Sequence, residues 1–284
     1  MRLRVITWNV SHGRDFPPDP GLFTWRSRLL RITERGATHL QVNRELLDEF
    51  SAVLRDASWD VALLQECPPR WSEPLARACA AEAHRVLTSR NQLLPITSRL
   101  ARCNPDLLGS WEGGCNLTLV RPRRPPEASD TVPSGRAIAE RRELVLAPAR
   151  QPERRMMAFT RLSDGICMAN LHTSTSDALA TKEIHAAARQ AIEWAEGAPL
   201  MLGGDLNVRP ADHSVYDELR ERHDLAAPTA PDAIDHLLAR GLHVAHPPRP
   251  WPTHARDVPL AGLRLRLSDH VPVEATFALR PEVR

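Results

Sequence analysis

The sequence predicts one large domain of mixed α and β structure, with a two-sheet sandwich as the candidate architecture. A chain of 284 residues with 42% hydrophobic content carries enough apolar material for one sizeable core. Short runs rich in Val, Ile and Leu alternate with longer stretches of helical periodicity, and no segment repeats itself.

The elements follow in order. RVITWN (4–9) reads as the first strand. Residues 40–56 place Leu46, Leu47, Phe50, Val53 and Leu54 at three- and four-residue spacing, one apolar stripe on a helix. DVALLQE (60–66) and GICMANLH (165–172) are strand-like runs. Residues 177–196 repeat the helical device with Ile184, Ala188, Ala191, Ile192 and Ala195, entered through Ser176 or Asp177 and stopped at Gly197. PLMLGGDLN (199–207), AIDHLL (233–238) and RLSDHVPVEATF (266–277) complete the apolar series. Two proline-rich stretches, 121–135 and 245–259, read as long loops within the domain, because proline is excluded from central strands and helix interiors.

Composition narrows the class. The 37 Lys+Arg against 35 Asp+Glu leave a net charge of only +2, too little for nucleic-acid binding by bulk electrostatics, so any basic surface must be local. The cysteines, Cys67, Cys79, Cys103, Cys115 and Cys167, are odd in number and scattered, with no CxxC pair, so they read as reduced and mostly buried thiols. Two arginines interrupt the first apolar residues, and no apolar run approaches about 18 residues. Neither a secretory signal nor a membrane span is expected, which places the protein in the cytoplasm.

The informative pattern lies at the ends of the strands. RVITWN stops at Asn9, DVALLQE at Glu66, GICMANLH at His172, and PLMLGGDLN at Asp205 and Asn207. AIDHLL adds Asp235, and RLSDHVPVEATF adds Asp269 and His270. Singly, each has an ordinary explanation: a turn asparagine, a solvated acid past a buried strand, a hydrogen-bonded structural histidine. Turn preferences, however, would not select carboxylate, imidazole and amide together. Strands presenting these ends on one rim would create an acidic, polar pocket. Glu66, Asp205, Asp235 and Asp269 crowded there would repel one another and raise each other's pKa, which argues for a bound cation.

In this order, TWN, LLQE, NLHT, GGDLN, IDHLL and SDH resemble the motif set of the endonuclease/exonuclease/phosphatase superfamily, the deoxyribonuclease I-like proteins, over residues 5–277. GGCNLTLVRP (113–122) is similar to the family's central strand, and Arg189 and Gln190 stand near a place the family also uses. The resemblance implies an α+β fold, a four-layer α/β/β/α sandwich of two mostly antiparallel sheets with outer helices, formed by residues 1–284 as a single domain. It implies a metal-dependent hydrolase of phosphate esters. Glu66, Asn9 and Asp269 would hold a divalent cation, Mg²⁺ with Mn²⁺ as a substitute. Asp205 would orient or deprotonate the attacking water. Asn207, His172 and His270 would hydrogen-bond the phosphoryl group, with Asp235 fixing His270. Oxygen ligands suit such a hard ion, and in-line attack on phosphorus requires a cation, a base and donors.

For the substrate, nucleic acid stands first and a small phosphomonoester or nucleotide is the alternative. A catalytically silent phosphate-binding module is a third reading, opposed by the competent residue at every motif position. Apurinic/apyrimidinic endonucleases resemble the chain less, since they carry tyrosine where His172 stands and the sole tyrosine is Tyr216. The arginine groups Arg26, Arg28 and Arg31, then Arg121, Arg123 and Arg124, then Arg141 and Arg142, are candidates to track a phosphate backbone. Among the tryptophans, Trp251 in its proline-rich stretch is the candidate stacking platform. Whether the arginines line the rim of the pocket decides between the two substrate classes.

Overall fold

A computed structural model of the chain describes residues 2–88, 91, 93–122, 136–146, 154–225 and 230–279. Two sheets stack face to face. The first, of six strands, runs Leu242–Pro250, Val273–Leu279, Arg2–Asn9, Val61–Cys67, Cys115–Val120 and Glu82–Leu87. The second, of five, runs Asp235–Arg240, Leu200–Asp205, Cys167–His172, Met156–Leu162 and Ile138–Val145.

Strand alternation assigns each face. In Arg2–Asn9, Leu3 and Val5 point between the sheets, where they meet Met168, Met201 and Leu237. Ile6 and Trp8 point outward beneath Phe50 and Leu54 of the helix Leu47–Asp56. The second sheet is roofed by the helix Asp177–Ala195, whose Ala180, Ala187, Ala188, Ala191 and Ala195 are buried. Small side chains along that stripe let the helix lie close to the strands. Central strands covered on both faces read as unbroken apolar runs, as VALLQ does. The architecture is thus the α/β/β/α sandwich.

Each sheet contains one parallel pair: Arg2–Asn9 beside Val61–Cys67, and Cys167–His172 beside Leu200–Asp205. The remaining neighbours are antiparallel. Parallel neighbours end on the same rim, which places Asn9 with Glu66 and His172 with Asp205. Asp235 opens an antiparallel strand at that rim, in register with Asp205.

Beneath the rim the apolar interior is interrupted by amides. Gln65 Nε2 donates to Asn170 Oδ1 at 2.8 Å, bridging the two sheets, and Thr7 Oγ1 donates to Gln65 Oε1 at 3.3 Å. Asn170 Nδ2 reaches back to the Leu64 carbonyl at 3.3 Å, and Asn116 Nδ2 crosses to the Met156 carbonyl at 2.7 Å. The amide N–H groups are thus satisfied by one another and by backbone carbonyls, as burial requires, while Asn116 Oδ1 has no hydrogen-bond partner among the described residues.

Two sequence expectations change. The helix expected over 40–56 is confined to Leu47–Asp56, because Leu40–Gln41 forms a short strand and the Val42 N–H donates to Asp15 Oδ2 at 3.0 Å. The stretch 245–259 is not one long loop. Its first part continues the edge strand Leu242–Pro250, which pairs with Val273–Leu279 through two register shifts. An edge strand tolerates proline because its outer side needs no N–H donors. A short 3₁₀ turn and the hairpin Asp257–Leu260 with Leu263–Arg266 follow. The other proline-rich stretch falls, over 123–135, outside the described residues. Four of the five cysteines are buried and Cys103 is exposed. Among the described residues, no helix is long and apolar enough to cross a membrane.

Candidate active site

Asp205 is the hub of the rim. Its strand neighbours in register are His172 on one side and Asp235 on the other. Across the sandwich, Asn9 Nδ2 donates to Asp205 Oδ2 at 2.9 Å. His172 Nε2 and His270 Nε2 lie 3.4 and 3.7 Å from the same oxygen, and the Asn207 N–H donates to Asp205 Oδ1 at 3.2 Å. The GGD motif permits this crowding. A Cβ on Gly204, at φ +144°, would lie 1.8 Å from the Leu171 carbonyl oxygen, so only glycine lets the two parallel strands close on the rim.

The two histidines are held in opposite states. His270 Nδ1 bonds Asp235 Oδ2 at 2.8 Å. Burial works against its charge, yet the hydrogen bond and charge of Asp235, with Asp205 and Asp269, hold the imidazole up at about 10. His270 is therefore an imidazolium donor. Burial and the neighbouring Arg155 push His172 down to about 3, so it is neutral and its approaches to Glu66 and Asp205 are not ion pairs. Arg155 Nη1 faces His172 Nδ1 at 3.3 Å, which makes Nδ1 the acceptor and leaves the proton on Nε2, toward Asp205. Asp205 is pushed up by burial and then by Asp235.

Glu66 occupies a bulge. The pairing with Cys115–Val120 slips between Leu64 and Cys67, and Glu66 takes φ +49°. Gly114 makes room: a Cβ there would come 3.2 Å from the Glu66 Cα. The turned-out carboxylate meets His12 Nε2 at 3.3 Å and lies 3.8 Å from His172 Nδ1. Despite burial, His12, the Asn9 amide and Arg14 hold its carboxyl below the usual range.

Two donor sets could receive a cation. Ligand atoms of Asp205, Asp235 and His270 lie within 4.8 Å of one another, but an imidazolium clamped by carboxylates has no lone pair to offer. The Glu66 carboxylate, with the Asn9 amide beside it, is an ionised oxygen set of the kind Mg²⁺ prefers. Asn9 Oδ1 accepts the Ser11 N–H at 2.9 Å, which fixes the amide's orientation. Asp269 is exposed at the rim, where Ser268 Oγ lies 3.4 Å from its Oδ1.

Some functional neighbours carried no sequence signal. His12 sits at φ 53° in the 3₁₀ turn after Asn9, and Arg155 lies far from every motif. Ser268, within SDH, ties the rim together: its Oγ donates to the Asn9 carbonyl at 2.7 Å and accepts the His270 N–H at 3.0 Å. Trp8 Nε1 donates to the His270 carbonyl at 3.0 Å. Asn207 Nδ2 is turned to the Thr173 carbonyl at 3.1 Å.

Among the described residues, four of the named arginines are held by local partners. Arg121 donates to the carbonyls of Cys79, Ala57, Leu54 and Arg55 and stacks 3.8 Å above Trp59, a structural clamp. Arg142 pairs with Glu140, Arg141 lies 3.9 Å from Glu82, and Arg31 bonds the Asn43 carbonyl. Arg28 alone of the named arginines borders a cavity beside the site, and Arg123 and Arg124 lie outside the described residues. Trp251 is no stacking platform: it packs on the core and donates to Glu274 Oε2 at 2.8 Å. Trp25 and Trp111 are the exposed tryptophans.

The profile of the endonuclease/exonuclease/phosphatase family matches residues 6–270. The chain belongs to that family, whose members hydrolyse phosphate esters. Solved structures of the same fold include an endonuclease/exonuclease/phosphatase family protein from Bacteroides thetaiotaomicron, at TM-score 0.63, 14% identity and 99% coverage of both chains. A mannosyl-6-phosphatase from the same organism superposes at TM-score 0.63 with 14% identity, over 98% of this chain and 100% of that one. A humanized D. rerio TDP2 superposes at TM-score 0.53 with 16% identity, over 97% and 98% of the two chains. No curated protein matches the chain in sequence.

Proposed function

We propose that this protein is a divalent-metal-dependent hydrolase of a small phosphomonoester. The observation that carries the reading is the pairing of a protonated His270, clamped by Asp235 at 2.8 Å, with Asp205 at 3.7 Å on the rim that Glu66 also shares. That rim combines an acid, a base and an ionised oxygen ligand, the three parts phosphoryl transfer needs.

Glu66 and Asn9 would hold the cation, Mg²⁺ or Mn²⁺, with Asp269 at its edge. Bound there, the metal would neutralise phosphoryl oxygens and draw the ester into place. Asp205 takes a proton from the attacking water as its oxygen bonds to phosphorus. The bond from phosphorus to the alcohol oxygen breaks, and that oxygen receives a proton from His270. Asp235 holds the imidazolium for this transfer. The neutral His172 and the Asn207 amide offer donors as charge builds on the phosphoryl oxygens.

A small ester is preferred to a nucleic acid because Arg31, Arg121, Arg141 and Arg142, four of the arginines that would track a backbone, are engaged in local ion pairs and carbonyl bonds. Hydrolysis of p-nitrophenyl phosphate and bis(p-nitrophenyl) phosphate with Mg²⁺, with EDTA as control, tests the reading. Metal-dependent monoester cleavage supports it. Cleavage of the diester together with plasmid or RNA would replace it with the nuclease reading, and no cleavage of either ester would leave a binding role.

A further inference from the structure

Three short helices are packed inside out. In Trp25–Leu30 the buried residue is Ser27, while Trp25, Leu29 and Leu30 are exposed. In Leu94–Cys103 the buried residue is Ala101, and Ile96 and Leu100 stand exposed one turn apart, with Leu93 just ahead of the helix. In Pro105–Glu112 the charged Glu112 is buried and Trp111 is exposed. Core packing puts apolar side chains on the covered face of a helix, so the core does not account for these residues. Among the described residues ten large apolar side chains are exposed, and seven of them belong to this group.

Asn104 joins the three helices. The Arg28 carbonyl accepts from Asn104 Nδ2 at 2.8 Å, the Asn104 N–H donates to the Leu100 carbonyl at 3.0 Å, and Asn104 Oδ1 accepts the Leu107 N–H at 3.1 Å. Leu29 and Leu30, which follow Arg28, are thus brought into one neighbourhood with Leu100, one turn before the joint. The third helix seats on the turn of His12, since a Cβ on Gly109 would lie 3.8 Å from the His12 Cβ. The apolar surface therefore adjoins the rim without being part of it.

Its charge has one sign. Residues 24–33 and 93–104 contain Arg26, Arg28, Arg31, Arg99 and Arg102 and no aspartate or glutamate. Arg26, Arg28 and Arg99 are exposed, and Arg102 meets Glu45 at 2.9 Å. A second copy docked on the same face by a two-fold axis would set arginine against arginine. Nucleic acid would match the arginines and leave the leucines and Ile96 without a partner. We propose that this face docks on a lipid bilayer carrying anionic headgroups. Leucine and isoleucine enter the acyl boundary, the indoles of Trp25 and Trp111 sit at headgroup level, and the arginines, on apolar stems, reach the lipid phosphates. Docking of this kind is independent of which ester the rim cleaves.

Co-sedimentation of the full chain with phosphatidylcholine vesicles, with and without phosphatidylglycerol, tests the proposal. The expected result is binding to the phosphatidylglycerol vesicles that weakens with added salt and exceeds binding to phosphatidylcholine alone by about fivefold or more. Leu29→Ser with Leu30→Ser, and separately Ile96→Ser with Leu100→Ser, should each weaken it by about tenfold or more. The two pairs lie on different helices at exposed positions, so a variant that melts abnormally leaves the other to decide. Arg26→Glu with Arg99→Glu should remove the preference for phosphatidylglycerol. No binding to either vesicle, equal binding to both, or binding unchanged in the variants overturns the proposal. A dimer in sedimentation velocity that the leucine variants dissolve would also overturn it, making the face an interface between copies.

Discussion

Replacing Asp235 with Asn should move the alkaline limit of activity. His270 rises from an ordinary 6.5 to about 10, which corresponds to roughly 5 kcal/mol favouring the imidazolium. Asp235 makes the direct bond, 2.8 Å against 3.7 Å to Asp205, and should supply the larger share. Without it, burial continues to oppose the charge and the remaining carboxylates hold less of it, so the imidazole should fall by about two pH units or more. The sign is fixed by linkage. A raised histidine stabilises the folded protein fully below 6.5 and loses that contribution as pH climbs through about 10. Asp235→Asn should therefore lower stability most at neutral and acidic pH and converge on wild type in strong alkali. A pH–rate profile of phosphoester hydrolysis, paired with NMR titration of the His270 ring proton, reads both effects. An alkaline limb and a ring titration that stay where wild type has them would refute the clamp.

Other expectations are more local. Glu66→Gln should abolish the rise in melting temperature produced by Mg²⁺, a rise worth about 2.7 kcal/mol when the ion is at a hundred times its Kd; an unchanged shift would move the metal elsewhere. Burial pushes the Asp15 carboxyl up to about 8, so wild-type stability should decline as pH rises from about 4 to 8, by up to about 4 kcal/mol at pH 7. Asp15→Asn should flatten that decline in urea titrations, and a parallel decline in the variant would count against it. Gly204→Ala should cost more than about 4 kcal/mol, since its methyl meets the Leu171 carbonyl; a melting temperature within a few degrees of wild type would show that the strands can part.

The sandwich and the rim were legible because strand ends carry chemistry that turn preferences do not explain. Asn9, Glu66, His172, Asp205, Asp235 and His270 meet because parallel strands finish together, a consequence of register that spacing alone cannot express. His12 and Arg155 were invisible for a physical reason: one reaches the site through a left-handed turn and the other from a segment without periodicity. The edge strand Leu242–Pro250 was hidden by its prolines, which penalise central strands and spare outer ones. The arginines looked like a ligand surface, since a sequence lists cations without their counterions, and Arg121 spends its guanidinium on backbone carbonyls.

Asn9 and Glu66 belong to one sheet and His172, Asp205 and Asp235 to the other, so the proposed reaction centre straddles a seam. Greasy layers slide with little penalty, and a slip of one residue would carry Asp205, the proposed base, away from Glu66 and Asn9, the proposed ligands. Gln65 and Asn170 act as a locating pin one or two residues below that seam. Their worth is better measured in alignment than in stability: apolar replacement of both amides could leave a protein that melts normally and yet holds its two half-sites out of step.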